Sequence, residues 1–441
     1  MKTDRPMETL ERQLDSFRPA KRREALLELW RLAEGGEVEL PPCGRAVNLH
    51  SHTFHSYNAY GYSPSKFAWL ARRRGLAVAG IVDFDSLDGL EEFLAAGRMI
   101  GLKACVSLES RTFVPEFANR VINSPGEPGI AYNMGVGFTR AVSHPTLARM
   151  RLGAAERNRE LMARVNSFLK PVEIDYERDV APLTPGGNAT ERHLAAAYED
   201  RARRLFPDPE RRSRFWEDRL GNQAAEGAPL QALIRARTMK QGGVGYVRPG
   251  KDAFPLMADM NRYSLESGAI PTIAWLDGTS AGEMAVEELF AVAESTGAAA
   301  LNIIPDRNFT PGVKDGRLQS LYDVVALAER LHFPVIVGTE MNAPGNKFVD
   351  DFEAAELRPL VPVFLKGAHI AFAHTVLQPG GFGYLSSWAK RAFPSPAAKN
   401  DFFAAAGRLL RADPGESLSG LPPDAAPTEI LRRLGEDSAR N

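Results

Sequence analysis

Three short apolar runs in the first quarter of the chain each lead into a residue that can bind a metal. The first runs into His50 and His52, the second into Asp83 and the third into Glu109. Segments with helical periodicity, residues 65–74 and 90–100, separate the runs. This alternation predicts βαβ units with a parallel sheet. In such folds, as in α/β barrels, functional groups collect at the carboxyl ends of the strands.

His50 and His52 are separated by one residue at the end of the first run. Since alternate residues of a strand share one face, both imidazoles point the same way and can bind a single cation. A pair of half-buried, hydrogen-bonded histidines is the alternative. The acidic groups that end the next two strands favour the metal site.

The same motifs carry a family resemblance. Residues 48–53 (Asn-Leu-His-Ser-His-Thr), residues 80–89 and Glu109 resemble, in order and spacing, the first motifs of the PHP (polymerase and histidinol phosphatase) superfamily. Residues 333–342 are similar to that family's late strand ending in Gly-Ser-Asp-x-His, and residues 268–275 to the Ala-His strand of its stand-alone phosphoesterases. The resemblance implies a distorted (β/α)7 barrel that binds up to three divalent metals and hydrolyses phosphate esters.

The ligand set implied by this resemblance is incomplete. Four positions where histidine is usual or frequent in the family hold other residues, namely Phe84, Trp275, Asn342 and Asn58. Phe and Trp cannot bind a metal, and Asn is a weak neutral donor. The residues that one metal of the family's cluster would use remain, namely His50, His52, Glu109 and Glu340. The resemblance therefore implies one divalent cation per chain, Zn²⁺, Mn²⁺ or Fe²⁺.

Five further residues are candidates to support or extend this metal site. We expect Asp83 to fix the tautomer of a ligand histidine. His374 ends another strand-like run and is a reserve ligand. The remaining candidates are the loop residues His55, Asn58 and Asn342.

Polar residues at the ends of two later predicted strands are candidates for catalysis. Arg307 can grip a phosphate or carboxylate through its forked guanidinium. Asp277 or Asp306 can act as a general base or replace a lost ligand. Structural salt bridges are the alternative for all three residues. Trp275 either stacks on a substrate or fills the space of a lost metal.

A loop ahead of a predicted helix, residues 184–193, is a candidate anion site. Free backbone N–H groups at a helix N-terminus can hold an anion, and Arg192 would assist in binding substrate there. A plain helix cap by Asn188 or Thr190 is the alternative.

The predicted organisation is an α/β barrel with helical additions. The segments are an N-terminal helical extension (1–43), a first barrel part (44–115), a mainly helical insertion (116–262), a second barrel part (263–384) and a helical tail (385–441). With 441 residues, of which 44% are hydrophobic, the chain can bury a large core.

Charge and composition limit the partners of the chain. A net charge of −1 gives no basic excess for a nucleic-acid polymer. Two cysteines cannot build a disulfide framework. The start of the chain is polar, and no uninterrupted apolar run is long enough for a bilayer. We expect a cytoplasmic protein that binds a small molecule and does not bind a membrane. The sequence does not indicate an oligomeric state.

These patterns favour a metal-dependent hydrolase, a phosphoesterase acting on a small phosphorylated metabolite or nucleotide. The lost histidines leave two alternatives. The barrel can have kept a ligand pocket without hydrolysis, or a single metal can serve a hydrolase or lyase with another class of substrate.

Overall fold

The computed structural model describes residues 4–222, 224–248, 253–313, 316–415 and 418–439. Seven strands form one sheet, and each strand is bonded to the next in sequence order. Their bounds are β1 (Val47–Ser51), β2 (Val78–Phe84), β3 (Ala104–Phe113), β4 (Ile130–Val136), β5 (Ile270–Trp275), β6 (Ala300–Ile303) and β7 (Val335–Val337). All neighbouring pairs are parallel except those of β4, which is antiparallel to β3 and to β5.

The sheet is nearly closed into a barrel, because β1 meets the residues that follow β7. Ser51 and Glu340 form an isolated parallel bridge. The N–H of His52 donates to the carbonyl of Glu340, and the N–H of Glu340 donates to the carbonyl of His50, both at 2.8 Å. The predicted seven-stranded α/β barrel is therefore confirmed.

Helices occupy the segments of the chain before, between and after these strands. Their bounds are α1 (Asp4–Gln13), α2 (Pro19–Glu34), α3 (Pro64–Arg73), α4 (Leu90–Ile100), α5 (Pro145–Phe168), α6 (Glu191–Leu205), α7 (Pro209–Leu220), α8 (Ala228–Ile234), α9 (Met257–Glu266), α10 (Ala281–Met284), α11 (Val286–Ser295), α12 (Pro305–Asn308), α13 (Arg317–Arg330), α14 (Val361–Leu377), α15 (Ser387–Ala392), α16 (Pro396–Leu409) and α17 (Pro427–Ala439). Helices α3, α5, α7 and α16 begin with proline in the first turn and a capping side chain before it. For example, the Ser63 hydroxyl accepts from the N–H of Lys66 at the start of α3.

The chain divides into two compact units. One unit comprises Met1–Thr53, Asn58–Val142 and Pro255–Asn441, and it contains the whole sheet. The other comprises Phe54–Tyr57 and Ser143–Phe254, is helical, and has a hydrophobic core of its own that includes Val165, Tyr198 and Trp216. The five segment boundaries predicted from the sequence stay a prediction, apart from one correction at β4.

Residues 130–136, which the sequence analysis placed in the helical insertion, form strand β4 of the barrel sheet. The third strand, which was expected to end at Glu109, continues to Phe113 as β3. The reason is pairing, because residues 107–113 of β3 bond to residues 130–136 of β4. Glycine-rich turns flank β4 in the sequence and hide this strand from a pattern analysis.

Helix α14 is the most apolar helix of the barrel unit. The run around His374, which was expected to be strand-like, lies within this helix. The longer helical stretch Arg358–Gly380 could span a membrane by length and composition, with a mean hydropathy of 1.5, but 72% of its apolar window is buried inside the structure. It packs against β7 and α16. Its apolarity is that of a core helix, which makes it weak evidence for a membrane span.

Gly367 lets α14 approach β7 closely, since a Cβ at this position would overlap the carbonyl of Val335. We expect Gly367→Ala to lower the free energy of unfolding by about 1–3 kcal/mol, because the backbone of β7 would have to move. At Gly435 of α17, an added Cβ would meet no atom within 4 Å, so Gly435→Ala should be neutral or stabilising by up to ~1 kcal/mol. Urea unfolding of both variants tests this difference, and equal stability of the two would refute the close packing.

Candidate metal centre

Three buried side chains, two from the end of β1 and one from β3, meet at one point of the barrel, and these two strands flank β2. They are His50 of β1, His52 just after β1, and Glu109 of β3. One ligand atom of each lies within 4.8 Å of the others. The Nε2 atom of His52 is 3.2 Å from Glu109 Oε2, and that of His50 is 3.7 Å from the same oxygen. The structure thus brings together three of the four predicted ligands.

The tautomer of His50 is fixed by Asn302 of β6. The Nδ1 atom of His50 lies 2.9 Å from Asn302 Oδ1, while the amide nitrogen of Asn302 donates to the carbonyl of Ile336. Because Asn302 presents its oxygen, His50 carries its proton on Nδ1 and a lone pair on Nε2. That buried Nε2 has no hydrogen-bond partner among the described residues. This is the arrangement of an imidazole prepared to bind a metal.

The charges within this group favour an ionised carboxylate. Burial acts to raise the pKa of Glu109, but His50 and His52 outweigh it and lower that pKa to about 2. Burial acts to lower the pKa of His50, but Glu109 and Glu340 outweigh it, and the pKa is raised. Two imidazoles and one carboxylate are a donor set of catalytic zinc sites, which leave a fourth position open for water or substrate. The three residues therefore fit a divalent cation.

Glu340, the fourth predicted ligand, is paired with Arg307 in this structure. Both of its carboxylate oxygens lie 2.9 Å from Nη2 of Arg307. Within the described part of the chain, the group that could hold a metal has three members, and the role of Glu340 as a fourth ligand stays a prediction. Arg307, predicted to bind substrate, here neutralises this carboxylate.

The backbone at Glu340 is strained. Glu340 and Met341 have φ angles of 61° and 54°, in the left-handed region that costs a residue with a Cβ about 1–2 kcal/mol. The same two residues hold the loop after β1, since Met341 accepts a hydrogen bond from the N–H of Ala59. Strain of this kind often accompanies functional sites.

Phe84 takes the place next to His52 where the resembling family has a histidine. The two rings are stacked, with centroids 4.5 Å apart and an angle of 25° between their planes. Phe84 therefore supports one face of His52 and supplies no ligand atom. This contact holds the His52 ring in place without a further donor group at position 84.

The predicted supporting residues have mainly structural contacts. Asp83 accepts hydrogen bonds from the N–H and the hydroxyl of Thr53, at 2.8 and 2.6 Å. Asn58 donates to the carbonyl of His52 and accepts from the N–H of Tyr60, so it shapes the loop after β1. His55 belongs to the helical unit, where its ring lies edge-on to Phe54 at 4.9 Å. Asn342 is half-buried in the loop after β7, and its role as a ligand stays a prediction.

Two of the predicted site residues belong to the protein core. His374 is buried in α14, where its Nδ1 accepts from the N–H of Tyr384 and burial lowers its pKa to about 4. It is not a member of the metal-binding group. Trp275 is 2% exposed, and its indole N–H donates to the carbonyl of Glu283. The register pairs Ala274 with Asn302, so Trp275 points to the opposite face of the sheet and cannot stack on a substrate at the metal centre.

Arg192 lies at a capped helix start. The Thr190 hydroxyl accepts from the N–H of Arg192, and His193 Nδ1 accepts from the N–H of Thr190. The guanidinium of Arg192 lies 5.4 Å from the centroid of the Tyr57 ring. The plain cap, which the sequence left as the alternative, is what the structure contains, and substrate binding by Arg192 stays a prediction.

The two candidate general bases also form structural contacts. Asp277 accepts from the N–H of Thr279 and lies 3.7 Å from Arg317. Asp306 accepts from the ammonium of Lys347 at 2.6 Å. Their catalytic roles stay predictions, and the salt-bridged alternative describes the contacts seen.

Sequence reasoning missed two residues of this region, Asn302 and Tyr132. In the sequence, Asn302 is a single amide within an apolar run, and its partner His50 lies on the other side of the barrel. Tyr132 lies on β4, the strand that the sequence analysis did not recognise. A signal for Asn302 was present, because an amide inside a fully buried strand requires a polar partner.

Comparisons with known proteins give limited similarity. No family model and no curated protein matches the sequence. Among solved structures, an amidohydrolase from Chromobacterium violaceum, with bound sulfate and no metal, is similar at 17% identity over 68% of this chain and 88% of that chain, with a TM-score of 0.48. A protein from Bifidobacterium adolescentis described as a candidate metal-dependent phosphoesterase is similar at 18% identity over 74% of this chain and 98% of that chain, with a TM-score of 0.47. Such distant likenesses do not transfer an activity.

Replacing His50 and His52 together by Ala is expected to abolish stoichiometric binding of Zn²⁺ or Mn²⁺, because a single carboxylate would remain of the three-residue group. Metal per chain is measured by elemental analysis after dialysis, with circular dichroism to check the fold. His144→Asn is the control, since His144 is only half-buried, lies outside the group and caps α5 in a way that Asn can replace. Undiminished metal in the double variant would show that the cation binds elsewhere.

Asp350 allows a test of the electrostatics beside Asp306. Burial, with the charge of Asp306, raises the pKa of Asp350 to about 8 against the opposing effect of Lys347. Because its folded pKa lies above the unfolded value of about 4, the unfolded chain releases this proton first, and stability falls as pH rises from about 4 to about 8. Asp350→Asn should therefore stabilise the protein at pH 8, by on the order of 1–3 kcal/mol, with a gain that fades towards pH 4.

Thermal unfolding at several pH values measures this gain. The exposed neighbour variant Asp351→Asn is the control and should change little at any pH. A gain for Asp350→Asn that does not depend on pH would contradict the raised pKa.

Proposed function

We propose that this chain is a metal-dependent hydrolase of the PHP type that holds one divalent cation with His50, His52 and Glu109. We further propose a phosphate ester of a small metabolite or nucleotide as its substrate. The observation that carries the proposal is the buried pair of histidines with a carboxylate, in which Asn302 has already set the lone pair of His50. The descriptions of the two similar structures are of the same broad class, but the proposal rests on the geometry of the site.

The chain's own residues have distinct tasks in this proposal. A cation bound by the group would supply Lewis acidity and make water acidic enough to act near neutral pH. Asn302 holds the His50 ring in the binding tautomer, and Phe84 shields one face of His52 from water. Arg307 places a fixed positive charge beside Glu340, where it can also offset negative charge on a substrate.

A second candidate is a ligand-binding protein that has lost hydrolysis. The stacking of Phe84 on His52 favours it, because an aromatic ring replaces a further ligand next to the retained one. The two candidates differ in one measurable respect, since a binding protein would hold metal and ligand without turnover.

Chelation is expected to abolish hydrolysis of phosphoesters, and added Mn²⁺ or Zn²⁺ should restore it. Glu109→Gln should lower kcat/KM by about a hundredfold or more, because the neutral amide is a much weaker ligand than the carboxylate and most of the protein would lose its cation. Glu288→Gln is the matched control, since Glu288 is exposed and paired with Arg120. The measurement is turnover across a panel of phosphomonoesters and phosphodiesters, with metal content determined in parallel.

Activity that survives chelation would refute the metal-dependent mechanism. Full metal occupancy without turnover on the whole panel would favour the ligand-binding protein or an enzyme with another class of substrate.

A further inference from the structure

Strand β4 runs against its neighbours, and this direction places its first residues near the metal centre. The other six strands are parallel, so the beginning of β4 lies where β3 and β5 end. Met134 of β4 pairs with Glu109, and Tyr132 pairs with Arg111. Because paired residues and residues two apart share a face of the sheet, Tyr132 is on the same face as the metal-binding Glu109.

Ring contacts connect Tyr132 to the metal-binding histidines. The centroid of its ring is 6.2 Å from that of Phe84, which in turn stacks on His52. Tyr132 is only partly buried, whereas the flanking residues Ala131 and Asn133 are fully buried. An aromatic residue one ring away from the metal centre thus keeps some access to solvent.

The backbone N–H of Tyr132 is held by the side chain of Asn123. Its N–H donates to Oδ1 of Asn123 at 2.8 Å, and the amide nitrogen of Asn123 donates to the carbonyl of Ala274 at 2.8 Å. Asn123 therefore ties the start of β4 to the end of β5. A side chain held by such a fixed backbone needs little reorganisation to bind a ligand.

The surroundings of the phenol favour a hydrogen-bond donor. Burial raises the pKa of Tyr132, and the charges of Arg111, Glu109, Glu340 and Arg307 also act on this hydroxyl. The hydroxyl therefore stays protonated at neutral pH. The structure assigns it no hydrogen-bond partner within the described ranges, so its O–H is available to a ligand.

Arg307 supplies a second donor in the same region. It binds Glu340 through Nη2, its side chain is 42% exposed, and its charge acts on Tyr132. The hydrogen bonds to Glu340 use only one of the three guanidinium nitrogens. The other N–H groups can serve a ligand, as the fork of an arginine does in oxyanion sites.

We propose that Tyr132 is a substrate-binding residue whose hydroxyl, together with Arg307, donates hydrogen bonds to a tetrahedral oxyanion held beside the His50–His52–Glu109 group. This assignment deepens the proposed function and rests on it. It names the part of the substrate that the chain itself recognises, which is a phosphoryl group or another tetrahedral oxyanion. Three oxygens of such a group can meet the cation, Tyr132 and Arg307 at once, whereas a planar carboxylate has only two oxygens.

Binding of inorganic phosphate tests this assignment without requiring turnover. Titration calorimetry is carried out on the full chain, both after removal of metal and after loading with Zn²⁺. Tyr132→Phe should weaken phosphate binding about tenfold or more in both states, because a hydrogen bond to a charged ligand is lost. Arg307→Gln should weaken it further, and metal content should stay at the parent level in Tyr132→Phe.

Tyr322→Phe is the matched control. The Tyr322 hydroxyl donates to the carbonyl of Glu356 from the outer helix α13, so its loss should leave phosphate affinity unchanged. Acetate serves as the planar anion and should bind at least tenfold more weakly than phosphate.

Equal phosphate affinity of the parent and Tyr132→Phe would overturn the assignment, as would a parent that binds no phosphate or binds acetate equally well. These outcomes differ from failure of the proposed function, which is absence of turnover by metal-loaded parent protein. Phosphate binding that depends on Tyr132 in an inactive protein would support the oxyanion site while rejecting hydrolysis.

Discussion

The backbone hydrogen bonds between β1 and the residues after β7 are the interaction on which the barrel and the candidate metal centre both depend. Glu340 donates to the carbonyl of His50 and accepts from the N–H of His52. The contact requires Gly338, because a Cβ there would overlap the backbone nitrogen of His50. Closing the barrel therefore also fixes the backbone of both histidines, and the left-handed conformation of Glu340 is part of the cost of that closure.

Charge balance in the centre depends on two separate groupings. Glu109 is buried against the two histidines, whereas Glu340 is bound to Arg307. A buried carboxylate without a partner would raise the free energy of the folded state. Here each of the two carboxylates, Glu109 and Glu340, has a positively charged or hydrogen-bonding partner. This arrangement suits a single cation, because Glu340 already has a permanent positive neighbour in Arg307.

The structure agrees with the predicted positions of some site residues and differs from the predicted positions of others. His50, His52 and Glu109 were recognisable because each directly ends a short apolar run, and strand geometry then brings them together. Trp275 was assigned to the wrong face of its strand, and His374 was assigned to a strand although it lies in a helix. A local sequence pattern does not show which face of a strand meets the site. It also does not distinguish a strand from a helix that is buried on all sides. Arg307 was expected to face substrate, but its first partner is Glu340, a residue that lies 33 positions later in the chain.

The alternating periodicities of the sequence predicted βαβ units with His50, His52 and Glu109 at strand ends, and the resemblance to the PHP superfamily implied the seven-stranded barrel. Only the tertiary structure decided that Asn302 sets the tautomer of His50, that Phe84 stacks on His52 and that Tyr132 lies on the face of Glu109. These contacts join residues that are distant in sequence, and their formation depends on register between strands and on the reversed direction of β4. Register and strand direction are fixed by packing and hydrogen bonding across the whole sheet, so no local segment of the chain contains them.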